Sequence, residues 1–248
     1  MKQEQIIHGI HAVQASLEHD RDHLLEVYRD KERKDRRLES LVAELEKSGV
    51  VVHAANRREL DKLSGGERHQ GIAARVLVPP TLSEKDLMSR LDGLDHAPLL
   101  LILDGVTDPH NLGACLRTAD AVGVDAVITP KDNSVGLTAT ARKVSSGAAE
   151  TVPFVQVTNL SRCLKALKDR GIWLAGLAGD EAGELYQTDF TGPMAIVMGA
   201  EGKGLRRLTR ETCDLLVRIP MAGTVESLNV SVAAGVTLYE ALRQRNSD

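Results

Sequence analysis

Three short stretches of the chain gather residue types that hold charge, donate hydrogen bonds or open the main chain to a ligand. The first is DGVTDPHNLGACLR, residues 104–117. It carries the amide of Asn111 and the guanidinium of Arg117, a planar, permanently charged fork suited to a phosphate or a carboxylate. Asn111 is equally placed to cap a helix running to Val122. Packing explains Arg117 less easily, because its helical neighbours Ala114, Leu116, Ala119 and Ala121 are small or apolar. The second stretch is VMGAEGKGL, residues 197–205, where Gly199, Gly202 and Gly204 permit close approach to the backbone and Glu201 is an acceptor that would repel phosphate. The third, IPMAGTVESLN, residues 219–229, sets Ser227 and Asn229 beside an apolar turn. Both residues are good helix caps, and with the turn they make a mixed lining for an organic cofactor.

Other chemistries fit less well. The glycine stretch lacks GxxxxGK[ST], since Gly204 follows Lys203, and no GxGxxG follows the first strand of that segment. A nucleotide triphosphatase or a nicotinamide dehydrogenase therefore loses ground. The pairs His8/His11 and His19/His23 have spacings a metal could use, but neither has a convincing third and fourth ligand, so no metal is expected. Cys115, Cys163 and Cys213 are odd in number and lack CxxC spacing, which suits a reducing cytosol. The start of the chain, MKQEQ, has no apolar signal core, and the run Leu99–Leu103 is far too short to cross a bilayer. A cytoplasmic protein with no membrane contact is expected.

The three stretches need a frame to bring them together. From Leu99 onward, apolar runs at 99–103, 124–128, 172–177, 194–198 and 215–219 alternate with helical patterns. Uninterrupted apolar strands of this kind belong to a parallel sheet covered on both faces, where ligands bind at the carboxyl ends of the strands. An α/β domain over 98–248 is predicted, with each chemical stretch following a strand. A last helix from about Val230 to Gln244 is apolar around much of its circumference (Leu228, Val232, Val236, Tyr239 and Leu242), so a partner chain is expected to cover part of it.

Residues 1–78 read as a smaller α/β segment. Ile6, Ile10, Val13 and Leu17 have helical spacing, residues 24–28 and 50–52 read as strands, and Leu38, Leu41, Val42 and Leu45 mark a second helix. Asn56 can cap a third helix through Leu63, and Ile72–Val78 closes the segment as a strand. Residues 79–97, with Pro79 and Pro80, read as a linker with one short helix. The net charge is −4 and aromatics are 2%, so recognition of nucleic acid would need a local basic patch and not rows of stacking rings. The run RDKERKDRR, residues 29–37, is such a patch, with six cations against three anions; a solvated helix start is the plainer alternative.

The stretches DPHNLGACLRTADAVGVDAVI, VMGAEGKGL and IPMAGTVESLNVSVAAGV resemble the three motifs of the SpoU (TrmH) family of RNA ribose 2′-O-methyltransferases, in the SPOUT superfamily. The resemblance covers roughly residues 98–245. HGIHAVQASL and HQGIAARV resemble the L30e-like substrate-binding domain attached in one branch, and arrangement and length are most similar to the branch acting on guanosine in 23S rRNA. The resemblance implies S-adenosylmethionine as methyl donor, a deep trefoil knot, and a homodimer in which the site is completed across the interface. It implies a catalytic set of Asn111, Arg117, Glu201, Ser227 and Asn229, and a cofactor lying along Gly199, Ile219 and Leu228 with Met221 nearby. The resemblance also gives Arg117 a part in activating the ribose hydroxyl. Because a free arginine is a poor base, the preferred reading is that it holds a phosphate and stabilises charge on the reacting oxygen, with Glu201 ordering its loop or pairing with Arg117. Two rivals stand beside this reading: a non-catalytic RNA-binding assembly factor, and a generic α/β enzyme with glycine loops. Within the family, a tRNA or another rRNA site is the alternative substrate.

Overall fold

A computed structural model describes residues 3–19, 21–78, 81–179 and 183–246. The chain divides into two compact units, 1–80 and 81–248; the Pro79–Pro80 seam and the side chain of His19 lie outside the described residues.

The first unit runs β1 (Gln3–His8), α1 (Ile10–His19), β2 (Leu24–Asp30), α2 (Arg36–Lys47), β3 (Val51–Ala55), α3 (Arg57–Leu63) and β4 (Ile72–Val78). Its sheet order is β1-β4-β2-β3, with β4 antiparallel to both neighbours and β2 parallel to β3. Leu38, Leu41, Val42 and Leu45 form the buried stripe of α2 and pack with Ile10, Val13, Val27 and Ile72. Asp35 caps α2, and Asn56 caps α3 in a reciprocal box with Glu59. The expected first helix is shorter than its periodicity suggested. Ile6 belongs to β1, because pairing with β4 claims residues 3–8 and Gly9, at φ 93°, breaks the chain before α1.

The second unit opens with α4 (Glu84–Leu91), whose Leu87 is fully buried in the core below the sheet, within the stretch expected as a linker. Then follow β5 (Leu99–Asp104), α5 (Pro109–Val122), β6 (Ala126–Pro130), α6 (Ala139–Ser145), α7 (Ala148–Thr151), β7 (Phe154–Val157), α8 (Leu160–Lys168), β8 (Trp173–Leu177), β9 (Gly183–Glu184), β10 (Met194–Gly199), α9 (Arg207–Thr212), β11 (Leu215–Arg218) and α10 (Val230–Arg245). The seven strands are all parallel, in the order β7-β6-β5-β10-β8-β11-β9.

Alternate residues of β5 face opposite layers. Leu101 and Leu103 pack with Leu112, Leu116 and Leu238 from α5 and α10, while Leu100 and Ile102 pack with Leu164 and Leu167 of α8. Both faces are therefore covered, as an all-apolar strand requires. Two strands escape the apolar-run pattern: β7 is broken by the half-exposed Gln156, and β9 has only two residues.

Candidate active site

The sheet brings the ends of β5 and β10 side by side, with Asp104 opposite Gly199 in register. The loops after these strands hold the first two chemical stretches, and α10 packs against α5, carrying the third to the same end. Asp108 caps α5 by accepting from the His110 amide, and Pro109 takes the first helical position. The expected capping role for Asn111 is thereby overturned. Asn111 lies inside the first turn, buried, and its side chain is free to act across the molecule.

It does so in a closed triangle. Asn111 Nδ2 donates to Glu201 Oε1 at 3.0 Å, Asn229 Nδ2 donates to the same oxygen at 2.6 Å and to Asn111 Oδ1 at 2.9 Å. Asn229 Oδ1 meanwhile accepts from the Ser231 amide and hydroxyl and caps α10. One hydrogen-bond network thus ties the three motif stretches together, and Asn229 both caps α10 and joins that network. Glu201 spends one oxygen on two amides and makes no ion pair with Arg117 of the same chain among the described residues.

Arg117 and Ser227 take no part in the hydrogen bonds of the triangle. Both are exposed and have no hydrogen-bond or ion-pair partner among the described residues. Arg117 lies on α5 six residues after Asn111, so helical geometry turns it well away from the Asn111 face.

The glycine stretch forms a tight turn. Ala200 and Gly204 exchange two backbone hydrogen bonds, of 3.1 and 2.9 Å, while Gly202 and Gly204 adopt φ 72° and 64°. A Cβ on Gly199 would lie 2.1 Å from the Gly204 carbonyl carbon, so the turn can fold back on the strand end only over glycine. Ile219 and Leu228 are half-buried, Met221 is exposed, and the backbone from Pro220 to Leu228 makes no hydrogen bond to other backbone among the described residues. A close-packed glycine turn beside a segment of open amides suits an organic cofactor bound largely through backbone groups.

A cleft of about 620 Å³ opens beside the triangle, lined by Asp104, Asp108, Asn111, Glu201, Lys203 and Arg206 among others. That volume accommodates a nucleoside. Sequence reasoning had passed over Asp104 and Arg206. Asp104 is fully buried; its Oδ2 accepts from the Arg206 amide at 3.1 Å, and Arg206 Nε lies 3.3 Å from its Oδ1. An acidic residue closing an otherwise apolar strand was the available signal. Burial pushes the thiols of Cys115, Cys163 and Cys213 up to about 12, which leaves them unsuited to nucleophilic work. Among the described residues no group of three or more His, Cys, Asp or Glu could hold a metal ion.

In the first unit the basic run straddles the end of β2 and the start of α2. Arg33 pairs with Asp35 at 2.8 Å, whereas Lys31, Lys34, Arg36 and Arg37 are exposed without an ion-pair partner among the described residues.

Comparison with known proteins agrees with this layout. The SpoU rRNA Methylase family matches residues 98–239, and the RNA 2′-O ribose methyltransferase substrate binding family matches residues 6–80. The chain belongs to the SpoU rRNA methylase family. It is 57% identical over 242 residues to the 23S rRNA (guanosine-2′-O-)-methyltransferase RlmB of Escherichia coli, covering 98% of this chain and 99% of that one. It is 56% identical over 247 residues to RlmB of Shewanella oneidensis, covering all of both. The structure of the SpoU methyltransferase AviRb from Streptomyces viridochromogenes, in complex with the cofactor AdoMet, superposes with a TM-score of 0.79 at 26% identity, over 98% of this chain and 91% of that one.

Proposed function

We propose that the protein transfers a methyl group from S-adenosylmethionine to the ribose 2′-hydroxyl of a guanosine in 23S rRNA. The observation that carries this reading onto the structure is the Asn111–Glu201–Asn229 triangle, which joins all three family motifs at the carboxyl ends of β5 and β10. The near full-length identity to RlmB supports the substrate. S-adenosylmethionine supplies an electrophilic methyl on a sulfonium. The protein must hold the 2′-oxygen in line with that methyl and accommodate the proton it loses, and positioning of this kind is worth several orders of magnitude.

Gly199, Ile219, Met221 and Leu228 form the cofactor cradle. Asn111 and Asn229, fixed through Glu201, orient the ribose, and Ser227 offers a free hydroxyl beside them. Arg117 holds the adjacent phosphate and stabilises negative charge as it develops on the oxygen; with a pKa above 12 it is a poor base. Its exposure on α5 fits a site completed in a homodimer. The exposed Val232 and Tyr239 of α10, one heptad apart, supply an apolar face for the second copy.

The first unit is an L30e-like domain that grips RNA phosphates through Lys31, Lys34, Arg36 and Arg37. Two of these cations sit in the first turn of α2, where the helix dipole disfavours positive charge, so helix stability does not explain them. The second unit carries a deep trefoil knot. In support, β11 lies between β8 and β9, two strands laid down before it, an order compatible with a knotted path. The enzyme works in the cytoplasm, on rRNA or an assembling particle; among the described residues no helix is long and apolar enough to cross a membrane.

Radiolabel transfer from S-adenosylmethionine to matched rRNA fragments tests the reaction. A fragment with a single 2′-deoxy substitution at the target should bind nearly as well and accept no methyl, whereas undiminished transfer would mean methylation of the base.

A further inference from the structure

We propose that Arg206 reads the target guanine, its guanidinium forking onto O6 and N7 of the base. The inference rests on placing the reaction beside the Asn111–Glu201–Asn229 triangle, and it assigns a specificity role to a residue outside the three motif sets.

Arg206 is held as a recognition group must be. Its Nε faces the fully buried Asp104 at 3.3 Å, and its own backbone amide donates to the other carboxylate oxygen at 3.1 Å. On the other side its Nη2 lies 3.5 Å from the Asp132 carbonyl. The guanidinium is thus oriented from behind, and Arg206 lines the cleft together with Asn111 and Glu201. No other cation there is fixed in this way: Arg207 pairs with Glu211 on its own helix at 2.8 Å, and Lys203 has no partner among the described residues.

Charge decides between a base and a phosphate. Asp104, Asp108 and Glu201 offset Lys203, Arg206 and Arg207 around the cleft, and Arg206 is already neutralised by Asp104. A balanced lining gives a phosphate little advantage but suits a neutral, strongly dipolar base. Guanine presents two adjacent acceptors, O6 and N7, which match an arginine fork. Adenine and cytosine place an amino donor where one acceptor is needed, and uracil has a single oxygen there. A fork anchored on a buried carboxylate is therefore selective for guanine.

The test uses the full-length protein and synthetic 23S rRNA fragments in which the target guanosine is kept or replaced by 7-deazaguanosine. That replacement removes N7 and leaves Watson–Crick pairing and the 2′-hydroxyl intact. The wild type should lose about tenfold or more in kcat/KM on the deaza fragment, in the range of one hydrogen bond from a charged group. Arg206→Gln should fall by a similar factor on guanosine and treat the two RNAs alike. Arg206→Lys, which keeps a cation beside Asp104 but not the planar fork, should narrow the discrimination. Reduced transfer with the wild-type ratio preserved would overturn base reading and leave the site in place. Wild-type transfer by both variants on both RNAs would instead show that the reaction lies elsewhere. If both variants lose binding of S-adenosylhomocysteine, the wild-type comparison decides: discrimination supports the proposal, and equal transfer to the two fragments overturns it.

Discussion

The basic run of the first unit and Arg206 of the second hold positive charge in opposite ways. In the first, Lys31, Lys34, Arg36 and Arg37 stand exposed without carboxylate partners among the described residues. In the second, Arg206 is tied to a buried aspartate. Loose cations attract any phosphate chain, fall off with salt and read no sequence. A cation locked on a carboxylate has little net field left but a defined direction. The difference separates gathering of RNA from choice of the atom to be modified, and substitutions in the two units should fail in correspondingly different ways.

The sharpest break is expected at Arg117. Arg117→Ala should keep cofactor binding and lower single-turnover transfer by about a hundredfold or more, as for loss of one preorganised electrostatic donor. Arg117→Lys should restore little, because a point charge cannot replace the planar fork. An alanine variant within threefold of wild type would remove Arg117 from the reaction. Next in size is Gly199→Ala. Its Cβ would meet Gly204 at 2.1 Å, so the turn must open and calorimetric affinity for S-adenosylmethionine should drop by more than tenfold. Unchanged affinity would place the cofactor away from this turn.

Charge reversal in the first unit should act differently. Replacing Lys34, Arg36 and Arg37 by Glu should weaken RNA binding and lower its salt slope by about 0.7–0.9 for each phosphate that is no longer neutralised. Single-turnover transfer at saturating RNA should hold. A fall in the transfer rate with unchanged affinity would dissolve the contrast between the units.

How much of this could be read from residues alone follows the same divide between local and distant. The apolar strands predicted the two-faced parallel sheet, and the Asn56 cap and the Leu38–Leu45 stripe of the first unit are local signals that the fold respects. The site residues were legible as types, but their partnerships were not. Glu201 lies 90 residues from Asn111 and Asn229 lies 118 from it; the order β5-β10 brings in the first, and the packing of α10 on α5 brings in the second. Asn111 was a plausible cap until the Asp108–Pro109 pair took that task. Ile6 kept helical spacing while sheet pairing made it a strand residue, an instance of tertiary context overriding periodicity. Asp104 looked like the end of a strand because its meaning depends on Arg206, 102 residues away.

The smallest expected effect concerns a carboxylate that serves the fold alone. Glu240 of α10 is 7% exposed and accepts from Arg243 Nε and Nη2, both at 2.8 Å, and from Gln244 Nε2 at 2.8 Å. Gln244 in turn donates to the Thr188 carbonyl and accepts from the Phe190 amide, fixing the segment that leads into β10. The hydrogen bonds from Arg243, and then from Gln244, hold the Glu240 carboxyl down at about 2, against an ordinary 4.5. A group whose pKa is depressed by folding stabilises the native state above its unfolded pKa and loses that contribution as the pH falls toward the folded value. The contribution of Glu240 should thus be complete at pH 7 and decline between about 4.5 and 2. Glu240→Gln should cost about 1.5–3 kcal/mol at pH 7, the range for hydrogen bonds to a charged group, and lower Tm by a few degrees. Thermal melts of both proteins from pH 7 to pH 3 check the sign: the gap should narrow on acidification, and a constant gap would assign the loss to packing. Methyl transfer at 25 °C should be unaffected, which sets Glu240 apart from the charges of both functional surfaces.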